Sequence, residues 1–376
     1  RQRQMCIRDS RDVIYKKLII DLQEAQDLCA WPNEIDATQT VERVNKVFVK
    51  GLLARVCLQA SGYAQRLDGE NRLSTDPELS KARLYPIALQ ACKDVMEQEG
   101  TYVALKSNFE DIFNNNGISG DVINAGSESL FEIGYSNNPE RGRIMYTFGI
   151  KHTTADNMTT MLQGSQVGPT PTFFFDYSVK DLRRDITCCP FQWTKGVQTL
   201  QSFKSWSFGK LRYEWTNRMI PTGNDDGINR QYMRYADIVL MRAELENELN
   251  GASAAVPYLT KIRNRAFATS DRATEVTAYV AEAALSKEKM FQAIVDERAY
   301  EFAGELIRKA DLIRWGMLKS KMDETKNKMK AIVSLTDYDS KHPYSQLSGH
   351  AYYKMSAYTW TRNGIETTEK DAKLNL

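Results

Sequence analysis

Residues 286–316 read SKEKMFQAIVDERAYEFAGELIRKADLIRWG, and this stretch decides the fold. Ser286 can cap the first turn of a helix, and Gly316 stands where a last turn would end. Between them, apolar residues recur every three or four positions, which is the period of an α-helix with one buried face: Phe291, Val295, Ala299, Phe302, Leu306, Ala310 and Ile313. The spacing predicts one continuous helix over residues 286–316.

Charged residues cover the other side of this predicted helix. Several of them stand three or four positions apart, within reach of pairing: Glu297, Arg298, Glu301, Glu305 and Arg308. In water, each such pair would contribute only tenths of a kcal/mol. The stretch ends, however, with Asp311, Arg314 and Trp315 among apolar residues. We therefore expect part of these charges to lie at a packed junction.

Further helices are predicted on both sides of a less regular middle segment. Helical periodicity covers residues 12–31, 40–62 and 79–99 near the start, and residues 235–249 and 253–267 nearer the end. The last two are separated by Asn250 and Gly251, which favour a turn. Helix, short connection and helix form hairpins of the kind that stack in repeat scaffolds. Within the middle segment, residues 129–135 favour a short strand.

Two motifs in these helical regions resemble those of the SusD/RagB family, which comprises outer-membrane glycan-binding lipoproteins of Bacteroidota. One motif is RYADIVLMRAE at residues 234–244, followed by IRNRA at 262–266. The other is DER at 296–298, EFAGE at 301–305 and DLIRWG at 311–316. Two ordered motifs are a specific signal. Both are typical of helix packing, so they indicate the family and mark no ligand site.

The resemblance implies a mainly α fold, in which tetratricopeptide-like hairpins form a SusD-like α-α superhelix beside an irregular loop-rich lobe with few short strands. We predict a single domain over residues 11–376. It divides into helical repeats at 11–100, a loop-rich ligand lobe at 101–234, further helical repeats at 235–322 and an irregular, Tyr-rich tail at 323–376.

The N-terminal end of the chain differs from the helices that follow it. Residues 1–10, RQRQMCIRDS, contain no apolar signal core before Cys6 and resemble a non-native leader. Members of the family run well over a hundred residues longer at the N-terminus. The resemblance therefore implies an N-terminal truncation that removes the signal peptide, the lipidated cysteine and one wall of the ligand site.

The composition narrows the functional classes. A chain of 376 residues with 42% hydrophobic and 26% charged residues is typical of a globular protein. Its net charge is +2, and no basic block is interleaved with aromatic residues, so nucleic acid is not an expected partner. No apolar run approaches the ~18 residues of a membrane span. The six cysteines form no C-x-x-C pair, and no metal or cofactor is expected.

No catalytic constellation stands out, and we predict no enzyme activity. His152, His342 and His350 are scattered, with no acidic or cysteine partner at ligand spacing, so a structural or surface role is favoured. Asp225 and Asp226 lack the full pattern of a calcium loop and favour a turn. A glycosidase pair is the alternative for four carboxylates at helical spacing, although ion pairs explain them better: Glu244, Glu248, Glu297 and Glu301.

Aromatic residues are the best candidates for a ligand site. The C–H faces of sugars are apolar, so glycan sites commonly combine flat rings with polar side chains. Five rings of the loop-rich segment are predicted to bind carbohydrate: Trp193, Trp206, Trp215, Tyr213 and Phe174. The alternative for each of them is the core, but we expect Trp193 or Trp206 to be partly exposed.

The resemblance implies a function as well as a fold. It implies non-catalytic capture of an oligosaccharide at the cell outer membrane, where an N-terminal lipid anchor would hold the protein on a SusC-like TonB-dependent transporter. Two other functions remain open. One is a helical-repeat adaptor or a SusD-like protein that binds peptide, and the other, less favoured, is a glycoside hydrolase.

Overall fold

A computed structural model describes residues 10–114, 128–135, 142–178, 180–189, 191–201, 205–216, 218–223 and 227–334. Most of the leader, Asp225, Asp226, His342, His350 and residues 335–376 of the tail lie outside these ranges. The fold is mainly helical with few short strands, which confirms the predicted class.

The first three long helices are α1 (Arg11–Leu28), α2 (Lys46–Ala60) and α3 (Lys81–Met96). Polar side chains cap all three, because each accepts a hydrogen bond from a backbone N–H of the first turn: Ser10, Asn45 and Ser80. Between α2 and α3, strands β1 (Ala64–Gln65) and β2 (Asn71–Arg72) form a small hairpin. Helix α2 packs against both α1 and α3, so the predicted helical pair at the start of the chain is confirmed.

The middle segment contains short elements. In chain order they are α4 (Asp111–Asn114), β3 (Ser129–Ile133), α5 (Ile144–Phe148), α6 (Pro171–Asp176), α7 (Arg184–Thr187), β4 (Cys188–Cys189), β5 (Phe191–Thr194), β6 (Val197–Leu200), β7 (Ser207–Phe208) and β8 (Arg230–Arg234). Antiparallel pairs join β3 to β8, β4 to β7 and β5 to β6. Strand β3 confirms the predicted strand. Its partner β8 runs directly into the next helix, so this pair joins the loop-rich segment to the helices.

The second helical part contains α8 (Tyr235–Asn250), α9 (Ala252–Ala266), a π-helical turn (Ala273–Ala278), α10 (Tyr279–Ala283), α11 (Lys287–Phe302), α12 (Arg308–Arg314) and α13 (Leu318–Ser334). Helices α8 and α9 form the predicted hairpin, joined at Gly251, whose φ is +91°. Helix α11 packs against both α8 and α9, as expected. Helix α8 also packs against α3, so the two helical parts share one apolar core.

Close approach of α2 to α8 depends on a residue without a side chain. A Cβ atom at Gly51 would lie 2.6 Å from Sδ of Met233 and 2.7 Å from Cδ1 of Ile238. Contacts this short do not occur between real atoms, so a larger residue at position 51 would force Met233 and Ile238 to shift where α2 crosses the end of β8 and the start of α8.

The prediction of one continuous helix over residues 286–316 is wrong. Ser286 does cap α11, but that helix ends at Phe302, and α12 begins only at Arg308. Gly304 has a φ of +83° and Leu306 a φ of +67°, both outside the helical region. Leu306 is 52% exposed. The apolar spacing continues across a break that periodicity alone does not reveal.

The tail prediction also needs correction at its start. Helix α13 continues to Ser334, well beyond residue 323, where an irregular segment was expected. Salt bridges four residues apart support this helix, among them Lys319–Asp323 and Lys328–Glu324. The helix is otherwise polar, which is why its apolar pattern was weak.

Candidate functional site

The charges of the two motifs meet in the interior. Glu301 of α11 has no exposed surface and accepts hydrogen bonds from three guanidinium groups. The distance to Arg234 is 3.0 Å and that to Arg183 is 3.1 Å, and Arg265 makes the third contact. Glu128 bridges Arg234 and Arg265 from the other side, at 2.6 and 2.7 Å. Three separate segments therefore converge on one glutamate.

This cluster extends in both directions along α11. Glu297, also fully buried, binds Arg183 and Arg263, both at 2.7 Å. Glu305, beyond the break, binds Arg234 at 2.8 Å and Lys210 at 2.6 Å. We call the whole set the first network. It balances five cations against five anions: Arg183, Lys210, Arg234, Arg263 and Arg265 with Glu128, Asp181, Glu297, Glu301 and Glu305.

A second network joins α2, α8, α11 and α12. Asp237 binds Arg55 at 2.6 Å and Arg298 at 2.7 Å, and Asp311 binds Arg298 at 2.8 Å. The chain of contacts then passes through Arg314 to Glu244, which also accepts a hydrogen bond from the indole of Trp315. These residues are buried except for Arg55 and Trp315, which are half-buried. The expectation of a packed junction is confirmed.

Three of the four carboxylates considered for a glycosidase pair belong to the two networks. Glu244, Glu297 and Glu301 are each bonded to arginine and buried. Burial acts to raise the pKa of Glu301, but its three arginines outweigh it and hold that pKa well below the ordinary range. A general acid needs a raised pKa, so Glu301 is unsuited to that role. The fourth, Glu248, is 40% exposed at its side chain and pairs with Lys81.

Trp193 is half-buried on the β5–β6 hairpin. The ring of His152 stacks on it, with 6.0 Å between centroids and 22° between planes, and the ring of Phe191 meets it edge-on at 6.3 Å. The hairpin turn is tight because Lys195 and Gly196 both adopt positive φ. Trp193 is therefore a supported ring that keeps part of its surface in solvent.

Trp215 is half-buried as well and is linked to Trp193 through Arg212 and Phe191. The guanidinium of Arg212 lies 4.7 Å from the Trp215 ring centroid and 5.9 Å from that of Phe191. Tyr213 completes this group, since its ring meets His152 edge-on at 5.0 Å. We call this set the Trp193 cluster: His152, Phe191, Trp193, Arg212, Tyr213 and Trp215.

The structure corrects the expectation for three of the five predicted rings. Phe174, Trp206 and Tyr213 are at most 2% exposed, so none offers a face to a ligand. Trp206 packs edge-on against Phe174 at 5.2 Å, apart from the Trp193 cluster. These rings belong to the interior of the loop-rich segment, which lacks long helices to supply its core. A carbohydrate role for Trp193 and Trp215 stays a prediction.

The support beneath Trp193 includes polar residues that sequence reasoning missed. His152 is buried, as its expected structural role requires, but it does have an acidic partner: its Nδ1 lies 2.6 Å from Oδ2 of Asp156. Burial acts to raise the pKa of Asp156, but the hydrogen bonds with His152 and two backbone N–H groups lower it. The four-residue spacing of this pair was visible, but outside a helix it gave no reason to expect contact.

A pocket lies beside the break between α11 and α12. It lies between the start of β8, α5 and the segment of Gly304 to Leu306, with a cavity volume of about 60 Å³ that opens to solvent. Its walls include Phe113 and Phe148.

Neither a metal-binding group nor a membrane-spanning helix is found among the residues that the structure describes. Within the described ranges, no group of three or more histidine, cysteine, aspartate or glutamate side chains is arranged to hold a metal ion. None of the helices described has the length and apolar character required to cross a membrane.

Comparison with known sequences identifies relatives of one kind. The model of the SusD family matches residues 194–373. SusD-like protein P25 of Formosa agariphila is 48% identical over 90 residues, which are 24% of this chain and 16% of that protein.

Solved structures are similar in fold. A SusD homologue from Bacteroides thetaiotaomicron superposes with a TM-score of 0.71 and 22% identity over 83% of this chain. Surface glycan-binding protein A of the same organism, in complex with laminarihexaose, superposes with a TM-score of 0.55 and 20% identity over 81% of this chain. The chain spans 61% of the first structure and 62% of the second.

Proposed function

Because this chain belongs to the SusD family, we propose that it binds an oligosaccharide at the cell surface without cleaving it. The observation that carries the proposal is the shared fold with a surface glycan-binding protein that was solved with a bound laminarihexaose. We further propose that it delivers the sugar to a SusC-like TonB-dependent transporter of the outer membrane. The family supports this placement, as it supports attachment to that membrane through a lipid.

Trp193 and Trp215 are our candidates for the sugar contact. A half-buried ring that is fixed from behind binds with little loss of side-chain entropy, because its orientation is set before the ligand arrives. His152 and Asp156 supply that support for Trp193, and Arg212 supplies it for Trp215. A helical-repeat adaptor would instead bind peptide in a groove between hairpins, without need of these rings.

Exchanging Trp193 for alanine should weaken glycan binding several-fold, because one ring contact contributes on the order of 1 kcal/mol. Affinity is measured by calorimetry against laminarihexaose and a panel of other oligosaccharides, with the melting temperature recorded for every variant. Trp193→Ala should melt close to the unmodified protein. Trp206→Ala should lose stability, since that ring is 2% exposed.

Trp31 provides a matched control, because it is another half-buried tryptophan but lies in the helical part, stacked on Tyr102. Trp31→Ala should leave glycan affinity unchanged. Weaker binding in Trp31→Ala together with unchanged binding in Trp193→Ala would move the site to the helices and favour the adaptor.

Prolonged incubation of the pure protein with polysaccharides should release no reducing ends. The carboxylates best placed for a glycosidase pair are bonded to arginine in the interior, where no sugar reaches them. Reducing-sugar assays over a day, with a known glycosidase as the positive control, test this. Steady release that is abolished by exchange of an acidic residue would establish an enzyme instead.

A further inference from the structure

The pocket beside the helix break is not explained by the proposed glycan contact. It lies where Gly304 and Leu306 turn the chain out of α11, and its opposite wall is β8. None of the five rings predicted to bind sugar lines it. Its occupant must be identified from the chemistry of its own walls.

Those walls are mostly apolar. Phe113 is buried, whereas Ile144, Phe148 and Leu211 are half-buried and line the space with carbon surface. Leu306 is 52% exposed and is held at positive φ, a conformation that costs a branched residue about 1 kcal/mol or more. An apolar side chain that is exposed in a strained conformation at the pocket wall would contact a ligand bound there.

Polar groups at the pocket are paired, with one exception. Lys210 donates to Glu305 at 2.6 Å and to the carbonyl of Glu301 at 2.8 Å, and Glu305 also binds Arg234. The exception is Arg230, which lines the pocket, is half-buried and forms no ion pair with any residue that the structure describes. A half-buried guanidinium beside apolar surface favours an anionic group, which it can bind through two parallel hydrogen bonds.

Lys210 is the second cation that lines the pocket. Burial lowers its pKa to about 8, although Glu305 opposes this shift, so the amine is mostly protonated at pH 7. Its charge is already neutralised by Glu305, which leaves Arg230 as the group that a ligand anion would meet.

We propose that this pocket binds a small organic acid, with an apolar body against Phe148, Leu211 and Leu306 and its carboxylate on Arg230. A neutral sugar fits less well, because its many hydroxyl groups would face carbon surface or side chains that are already bonded. The proposal goes beyond the binding of an oligosaccharide and does not depend on it.

The test uses two probes with the same ring system but with an anionic or a neutral polar group, 2-naphthoate and 2-naphthalenemethanol, titrated into the protein by calorimetry at pH 7. Naphthoate should bind about tenfold more tightly, as expected for a charge-assisted hydrogen bond. Arg230→Gln should remove this preference and leave the affinity for the alcohol unchanged. Arg230→Lys, which keeps the charge, should retain part of it.

Leu306→Asp should abolish binding of both probes, because it replaces an apolar wall by a charge that repels the carboxylate. Leu67→Asp is the matched control, since Leu67 is 90% exposed and lies in the β1–β2 turn. Glucuronate, a carboxylate on a polar ring, should fail to displace naphthoate. Absence of naphthoate binding, an unchanged preference in Arg230→Gln, or displacement by glucuronate at equal concentration would each overturn the proposal. Glycan affinity should be the same in Arg230→Gln and the unmodified protein.

Discussion

Exchanging Glu301 for glutamine should lower the free energy of unfolding by about 3–5 kcal/mol, the usual effect of breaking a buried ion pair. The amide keeps the shape of the side chain but carries no charge. Arg183, Arg234 and Arg265 would then share too few anions in an interior that excludes water. The penalty arises because uncompensated charge is left behind, so it exceeds what the intact pairs contribute.

Chemical denaturation at pH 7 measures this change. Glu288→Gln is the matched control, because Glu288 lies on the same helix in its exposed first turn, where substitutions usually change stability by less than about 0.5 kcal/mol. An effect of Glu301→Gln as small as that of the control would show that water reaches the first network.

Lowering the pH should weaken the same ion pairs of Glu301, because it protonates the carboxylate. The pKa of Glu301 is held below its ordinary value of 4.5 by the arginines, against the effect of burial. A carboxyl whose pKa is lower in the folded state stabilises the protein above pH 4.5, and this contribution is lost as the pH falls further. The unmodified protein should therefore lose stability below pH 4.5 more steeply than Glu301→Gln does.

The first network also explains why the family motifs are visible in the sequence. Arg234, Arg263 and Arg265 lie in one motif, and Glu301 and Glu305 lie in the other. Each charge except the half-buried Glu305 is buried, and each is opposed by a charge from a different segment, so a change at one position leaves its partner uncompensated. The motifs predicted the fold for this reason, and for the same reason they carried no information about a ligand.

Helices were predictable where their apolar faces pack locally, as in α8 and α9. The break after Phe302 was not predictable in this way. Glu305 lies within the break and pairs with Arg234 and Lys210, which lie on β8 and on the loop after β7 and are distant in the chain. Apolar periodicity shows only which residues share one face of a helix, so it gives no information about ion pairs with distant segments.

The candidate site was less predictable than the fold. Trp193 and Trp206 each have a phenylalanine two positions away and a glycine three positions later in the sequence, yet one is half-buried and the other is 2% exposed. The difference depends on which strand pairs with which, and β4 finds its partner β7 across a hairpin. Pairing between distant strands decides which face of a ring is covered. The sequence of the loop-rich segment has no periodic pattern from which this pairing could be predicted.

Exchanging Phe302 for alanine should cost about 3–5 kcal/mol of unfolding free energy, because the ring is 3% exposed within the shared core. Removal of the ring would leave a cavity and would also remove its contacts with two buried guanidinium groups. The guanidinium of Arg234 lies 4.9 Å from the ring centroid and that of Arg298 lies 5.1 Å from it. Phe302 therefore stands between the first and second networks, and its ring separates two groups of buried charge.

Leu306→Ala is the matched comparison, since Leu306 continues the same apolar spacing but is 52% exposed. Its effect should remain below about 0.5 kcal/mol, as is usual at exposed positions. Denaturant titrations of both variants decide between two arrangements of the stretch. Similar losses at the two positions would mean that both side chains face a core, as in the continuous helix that the spacing predicts. A large loss at Phe302 alone requires the break, because only a chain that turns at Gly304 buries one residue of the stripe and exposes the next.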